Sequence, residues 1–149
     1  MGVDPGVGGG IAMLTLDSVA LLRKMPETDS DLLDLIGDWT HYGSRCVASL
    51  EFVRSSPQMG VASAFTFGSG YGRLRMALVA KSVSFEEPTP GKWQKAMGCL
   101  SKGDKSVTKR KAQELFPFVD KITNATADAL LLAEYTRRLT LSRGGVVGF

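Results

Sequence analysis

Histidine and cysteine are nearly missing from this chain. Among 149 residues there is one histidine, His41, and there are two cysteines, Cys46 and Cys99, far apart in sequence. That excludes zinc fingers and disulfide scaffolds, and it leaves little material for a Cys/His or Ser/His nucleophile system. The cysteines read as reduced thiols, Cys46 in a strand and Cys99 in a helix or loop. His41 closes an amphipathic segment and reads as a surface residue rather than a base. No apolar run approaches eighteen residues, so no membrane-spanning helix is expected. The opening Met1-Gly2-Val3-Asp4-Pro5 lacks a basic segment followed by an apolar run, so no secretory leader is expected either. Internal repeats, low-complexity tracts and linkers are also absent, and residues 1–149 are expected to form one domain. With 44% hydrophobic and 22% charged residues, the chain has the material for a core, and wholesale disorder is excluded.

Charge is present but unevenly divided. Residues 1–53 carry 3 Lys/Arg against 8 Asp/Glu, a net of −5, while residues 54–149 carry 15 against 7, a net of +8. Such a split fits a basic face for a polyanion with a separate acidic region, or else a scattered solvated surface.

The chain opens with a short apolar piece ending at Asp4-Pro5-Gly6. Ile11–Leu16 reads as a strand, Asp17-Ser18 as a tight turn and Val19–Leu22 as a second strand, a β-meander closed by Met25-Pro26. Thr28 or Asp29 caps a helix expected to run to about Tyr42 and stop at Gly43. Cys46–Val53 is a nearly continuous apolar run, the mark of a strand buried on both faces. A loop with Pro57 and Gly60 leads to a long helix, about 62–81. Val83–Phe85 is a short strand. Short helices are expected over Gly91–Met97 and Ser106–Leu115, and a last one from about Thr123 to Leu139. Strands first, then strands alternating with helices, predict a mixed α/β sheet with helices on its faces.

Three carboxylates sit where structure alone does not call for them. Asp4 ends the first strand. Glu51 lies inside the most apolar strand. Asp128 shares a helical stripe with Leu131, Leu132, Tyr135 and Leu139, so it points inward. A buried carboxylate costs several kcal/mol unless compensated. A divalent cation such as Mg²⁺ compensates through hard oxygen ligands, and two such ions roughly 4 Å apart promote phosphodiester hydrolysis. Each acid also has a plain structural reading. Asp4 can cap a turn, Glu51 can pair with an internal Arg, and Asp128 can sit at the edge of its stripe. Gly6–Gly10 invites a phosphate-loop reading, but no Gly-Lys-Ser/Thr follows.

Read together, these segments resemble the RuvC-type Holliday junction resolvases, more closely the small RuvC-like enzymes of bacteriophages, more faintly the chloroplast resolvases of plants. The resemblance is carried in order along the chain by Gly2-Val3-Asp4-Pro5-Gly6 with Gly10-Ile11-Ala12, by Leu50-Glu51, and by Ser56-Pro57-Gln58-Met59-Gly60. Phe65-Thr66-Phe67-Gly68, Thr89-Pro90 with Lys92-Trp93, Leu115-Phe116-Pro117 and Ala127-Asp128-Ala129-Leu130 continue it. It implies a ribonuclease H-like fold with a mixed five-stranded sheet and helices on both faces, and a homodimer. It implies Mg²⁺-dependent nicking of two opposed strands at a four-way DNA junction, with two ions and Mn²⁺ as a substitute. It places the protein inside a cell with DNA, in host cytoplasm if phage-borne or in an organelle if plastid-type. Asp4, Glu51 and Asp128 fall on the family's catalytic, metal-binding acids.

The family's fourth active-site residue, usually Asp or His, falls on Asn124, four residues before Asp128. Asn neither takes up a proton nor supplies charge. Asn124 is thus a working variant, an inactivating change that leaves a junction-binding protein, or simply a helix cap. Asp120, expected on the surface, is a possible replacement carboxylate. A same-fold RNA-processing nuclease is a further reading. An actin-like ATPase fragment shares the fold, but the chain is too short for two lobes.

Lys102, Lys105, Lys109, Arg110 and Lys111 form the densest basic cluster, suited to neutralising phosphates or simply a solvated helix face. Lys92 and Lys95 extend it beside Trp93, which reads as a packing residue. Phe52, Arg54, Gln58 and Met59 follow Glu51 in a loop suited to wedging between base pairs. Phe65 and Phe67 read as core ahead of DNA stacking. The glycines among them disfavour a helix and suggest close approach by a partner helix or backbone. The resemblance puts the dimer contact along this helix.

Overall fold

The computed structural model describes residues 1–41 and 45–144. Its elements are β1 (Gly2–Asp4), β2 (Gly10–Leu14), β3 (Ala20–Lys24), α1 (Asp29–Thr40), β4 (Val47–Leu50), α2 (Val61–Ala80), β5 (Ser84–Glu86), α3 (Pro90–Met97), α4 (Lys105–Leu115) and α5 (Asn124–Gly144). One five-stranded sheet has the order β3-β2-β1-β4-β5. β1–β2 and β2–β3 are antiparallel, whereas β1–β4 and β4–β5 are parallel. No helix among the described residues is long and apolar enough to cross a membrane.

The period-two alternation of a strand divides the core in two. Val3, Ile11, Met13, Ala48 and Leu50 face α1 and α2, packing on Leu32, Ile36, Trp39, Leu74 and Leu78. Ala12 and Leu14 face the other way, toward Trp93 of α3, Ala112 of α4 and the leucines of α5. On that second face α5 lies against the strand backbones. A Cβ on Gly2 would overlap the carbonyl oxygen of Ala129, and one on Gly10 would meet that of Ala125.

Several expected boundaries move for local reasons. β2 stops at Leu14 because Thr15 already belongs to the turn, its N–H donating to Val19 O (3.0 Å) and its O accepting from Ser18 N (3.1 Å). β4 stops at Leu50, short of the expected Val53, because the Phe52 N–H turns to Pro88 O at 2.8 Å. Thr28 caps α1, its hydroxyl accepting from Asp31 N. The expected end of α1 at Tyr42-Gly43 lies outside the described residues. α5 is expected to bury one stripe, yet every residue from Thr126 to Thr136 is buried. The sheet takes one side of it, and α3 and α4 cover others. The expectation of a core role for Phe65 and Phe67 does not hold. Phe65 is 76% exposed and Phe67 half-buried, because only Leu74, Ala77 and Leu78 of α2 are buried.

Candidate active site

Strand alternation brings the three acids together. Gly2 faces α5, so Asp4, two residues on, faces the same side. Val3 pairs with Leu50 across parallel β1 and β4. The Glu51 N–H donates to Val3 O at 2.9 Å, which sets Glu51, just past the end of β4, beside Asp4 at the end of β1. Asp128 comes down from α5, one turn into the helix that covers them. All three are buried, at 5%, 8% and 3% exposure for Asp4, Glu51 and Asp128.

Two further side chains hold this group, and the sequence did not single them out for it. Trp93, fully buried, donates Nε1–H to Glu51 Oε1 at 2.8 Å. The expected packing residue therefore also orients an acid, since a buried indole N–H needs an acceptor. Lys105, expected among the DNA-facing lysines, instead turns its ammonium onto the acids. Nζ lies 2.5 Å from Asp128 Oδ2 and 3.7 Å from Asp4 Oδ2. Burial pushes the Asp4 carboxyl up to about 7, against the pull of the Lys105 ammonium and with help from the neighbouring Glu51 and Asp128 charges. Burial also raises Glu51, opposed by the hydrogen bond from Trp93. Lys105 is itself raised, because its bond to Asp128 and the Asp4, Asp128 and Glu51 charges outweigh its desolvation.

The donor set fits a hard divalent cation. It consists of carboxylate oxygens, and Asp128 Oδ1 is buried without any hydrogen-bond partner, a cost that a cation would remove. Among the described residues, no three His, Cys, Asp or Glu side chains stand close enough together to hold a metal ion. Lys105 supplies the positive charge at that place.

The other predicted residues are dispersed around this centre. Asn124 was expected to reach the carboxylates, but it is exposed and makes no hydrogen bond to them among the described residues. Nor does it cap α5. There the Thr126 hydroxyl accepts from Thr123 N at 3.1 Å. Asp120 is exposed, as expected. Phe52 stands edge-on to Tyr71, with ring centroids 6.5 Å apart, and the Arg54 guanidinium lies 5.1 Å from the Phe52 centroid. Gln58 is exposed in the turn before α2, bonded to Ser56, and Met59 is half-buried. Lys92, Lys102 and Arg110 are exposed, and Lys109 is half-buried. Lys111 pairs with Glu114 at 2.8 Å. Gly68, Gly70 and Gly72 have nothing within 4 Å of where a Cβ would stand, so the space they leave is unfilled within this chain. Cys46 and Cys99 are free thiols, both raised by burial, Cys99 to about 11.

No family model matches the chain, and no curated protein is similar to it in sequence. Solved structures are similar in architecture. RuvC of Thermus thermophilus in complex with a Holliday junction substrate superposes with a TM-score of 0.66 at 15% identity, over 97% of this chain and 94% of that one. A second structure of Thermus thermophilus RuvC gives 0.62 at 16% identity, over 97% and 95%. The chain has the ribonuclease H-like fold. Within that ribonuclease H-like sheet, Asp4 and Glu51 mark the ends of the two central parallel strands, and α5 is the helix laid across them.

Proposed function

We propose that this protein is a divalent-metal-dependent endonuclease that nicks two opposed strands of a four-way DNA junction as a homodimer. The observation that carries the reading is the convergence of Asp4, Glu51 and Asp128, all buried, with one oxygen of Asp128 unpartnered. The similarity of architecture to a protein solved with a Holliday junction substrate supports the choice of nucleic acid.

The chain's own residues have definite parts. Asp4, Glu51 and Asp128 would hold Mg²⁺ or Mn²⁺, which when bound activates water and stabilises the leaving oxygen. Trp93 keeps Glu51 turned inward. Lys105 holds the acids together and would have to leave Asp128 for a cation to be held there. Asp4, whose carboxyl is raised by burial to about 7, would hold a cation in its ionised form. Phe52 with Arg54, Gln58 and Met59, and Lys92, Lys102, Lys109, Arg110 and Lys111, would line the approach of DNA. The exposed front of α2, with Val61 and Phe65 bare and Gly68 and Gly72 open, would meet the second subunit.

The test is cleavage of a mobile synthetic junction with Mg²⁺, mapped on all four strands. Symmetric nicks in opposed strands are expected. Asp4→Asn, Glu51→Gln and Asp128→Asn should each lower the rate by about a thousandfold, of order 4 kcal/mol in the barrier, while junction affinity holds. Undiminished cutting by Glu51→Gln would sink the assignment. Structured RNA cut in preference to the junction would point to RNA processing instead.

A further inference from the structure

A cavity of about 660 Å³ opens beside the start of α5. Lys24 from the end of β3, Lys109 from α4 and Lys121 from the segment before α5 line it together with Gly8, Thr123 and Asn124. None of the residues lining it is acidic. Among the described residues, none of the three lysines has a carboxylate within ion-pair distance. This differs from the neighbouring lysines of α4, since Lys105 and Lys111 are both paired.

Three cations from three separate elements repel one another wherever the fold gathers them. Such a gathering is favourable when an anion shares them, and a cavity of this size falls within the range of ligand sites. The amide of Asn124 and the hydroxyl of Thr123 add donors to the wall. The start of α5 contributes its positive end in the same direction.

Position identifies the anion. Asn124 precedes Asp128 by four residues, about 6 Å along the helix at 1.5 Å per residue. Phosphates of one strand succeed each other every 3.4 Å along a duplex axis. We propose that this cavity seats a phosphate of the cut strand, one or two nucleotides from the phosphate at the carboxylates. The inference rests on the nuclease reading above and adds to it Lys24 and Lys121, two residues outside the basic cluster. It also gives Asn124 a role that needs no proton, as a neutral donor toward a phosphate.

Two arms test it on the full chain. In the first, amide NMR shifts are followed as inorganic phosphate is added. Gly8, Asn124 and Ala125 should move, and should stop moving in the triple variant Lys24→Gln, Lys109→Gln, Lys121→Gln. In the second, junction binding without divalent cations is measured against salt. The triple variant should lower the slope of log affinity on log salt by about one, the share of one phosphate contact. Shifts with an unchanged slope would give the cavity to a small free anion and overturn the strand assignment. An absence of shifts in the wild-type chain would overturn the site itself, whether or not the variant folds. A wild-type chain that binds no junction at all would instead overturn the nuclease reading, whatever the phosphate arm shows.

Discussion

Lys105 stands where its charge does most for the metal-free protein. Removing it leaves Asp128 buried with both oxygens unpaired. Because the lysine is about half exposed, the loss is smaller than for a fully buried pair. Lys105→Met should cost about 1–2 kcal/mol in urea unfolding without metal, and added Mg²⁺ should recover it. The acids themselves make metal-free stability depend on pH. Asp4 holds its proton to about 7 when folded, against an ordinary value of 3.8. The folded chain therefore binds more protons than the unfolded one between those limits. This contribution is complete below pH 4 and is lost as the pH rises through 7, at up to about 1.4 kcal/mol per unit. Glu51, raised by burial, acts in the same direction. Glu134 runs oppositely, because its bonds to Arg137 and Arg138 hold it low against desolvation, but that effect belongs to the region below its ordinary 4.5. Unfolding free energies at pH 5, 6, 7 and 8 should thus decline without metal and flatten with Mg²⁺. A flat metal-free profile would contradict the raised acids. Of this centre, the acids were legible because carboxylates among apolar residues demand compensation. Lys105 was not, since a lysine in a basic run reads as one of many. Only the packing of α4 against α5 reveals which of those lysines reaches inward.

At the scale of elements, β1 and α5 form one unit through the absence of a side chain. Gly2→Ala would drive a methyl into the Ala129 carbonyl, and neither backbone has room to give. A cost of about 3 kcal/mol or more is expected, read as a lower urea midpoint. The same substitution at Gly70, where nothing lies within 4 Å, should raise stability slightly through helix propensity. Strand and helix types were readable from periodicity, and the cap of α1 from Thr28. The ends were not, because they depend on long-range bonds such as Phe52 N–H to Pro88 O. The burial of α5 on all sides escaped the sequence pattern as well. Asp128, Glu134 and the threonines interrupt its apolar run. Glu134 pairs within the helix with Arg137 and Arg138, but Asp128 and Thr136 find partners elsewhere in the chain. Thr136, for example, bonds Ser49 Oγ at 2.8 Å.

For the molecule as a whole, two cuts across a junction need two sites related by a two-fold axis. The bare front of α2 is the expected contact. Phe65→Asp with Met76→Glu, both exposed positions, should convert a species of twice 16.0 kDa into a monomer by light scattering, while the fold survives. A wild-type chain that is monomeric at micromolar concentration, with and without junction, would defeat this arrangement. The enclosure of α5 bears on how such a protein can change over generations. A helix with one wet side offers drift a free lane of positions, whereas eleven consecutive enclosed residues offer none. Alterations there have to come in matched sets across the sheet, α3 and α4.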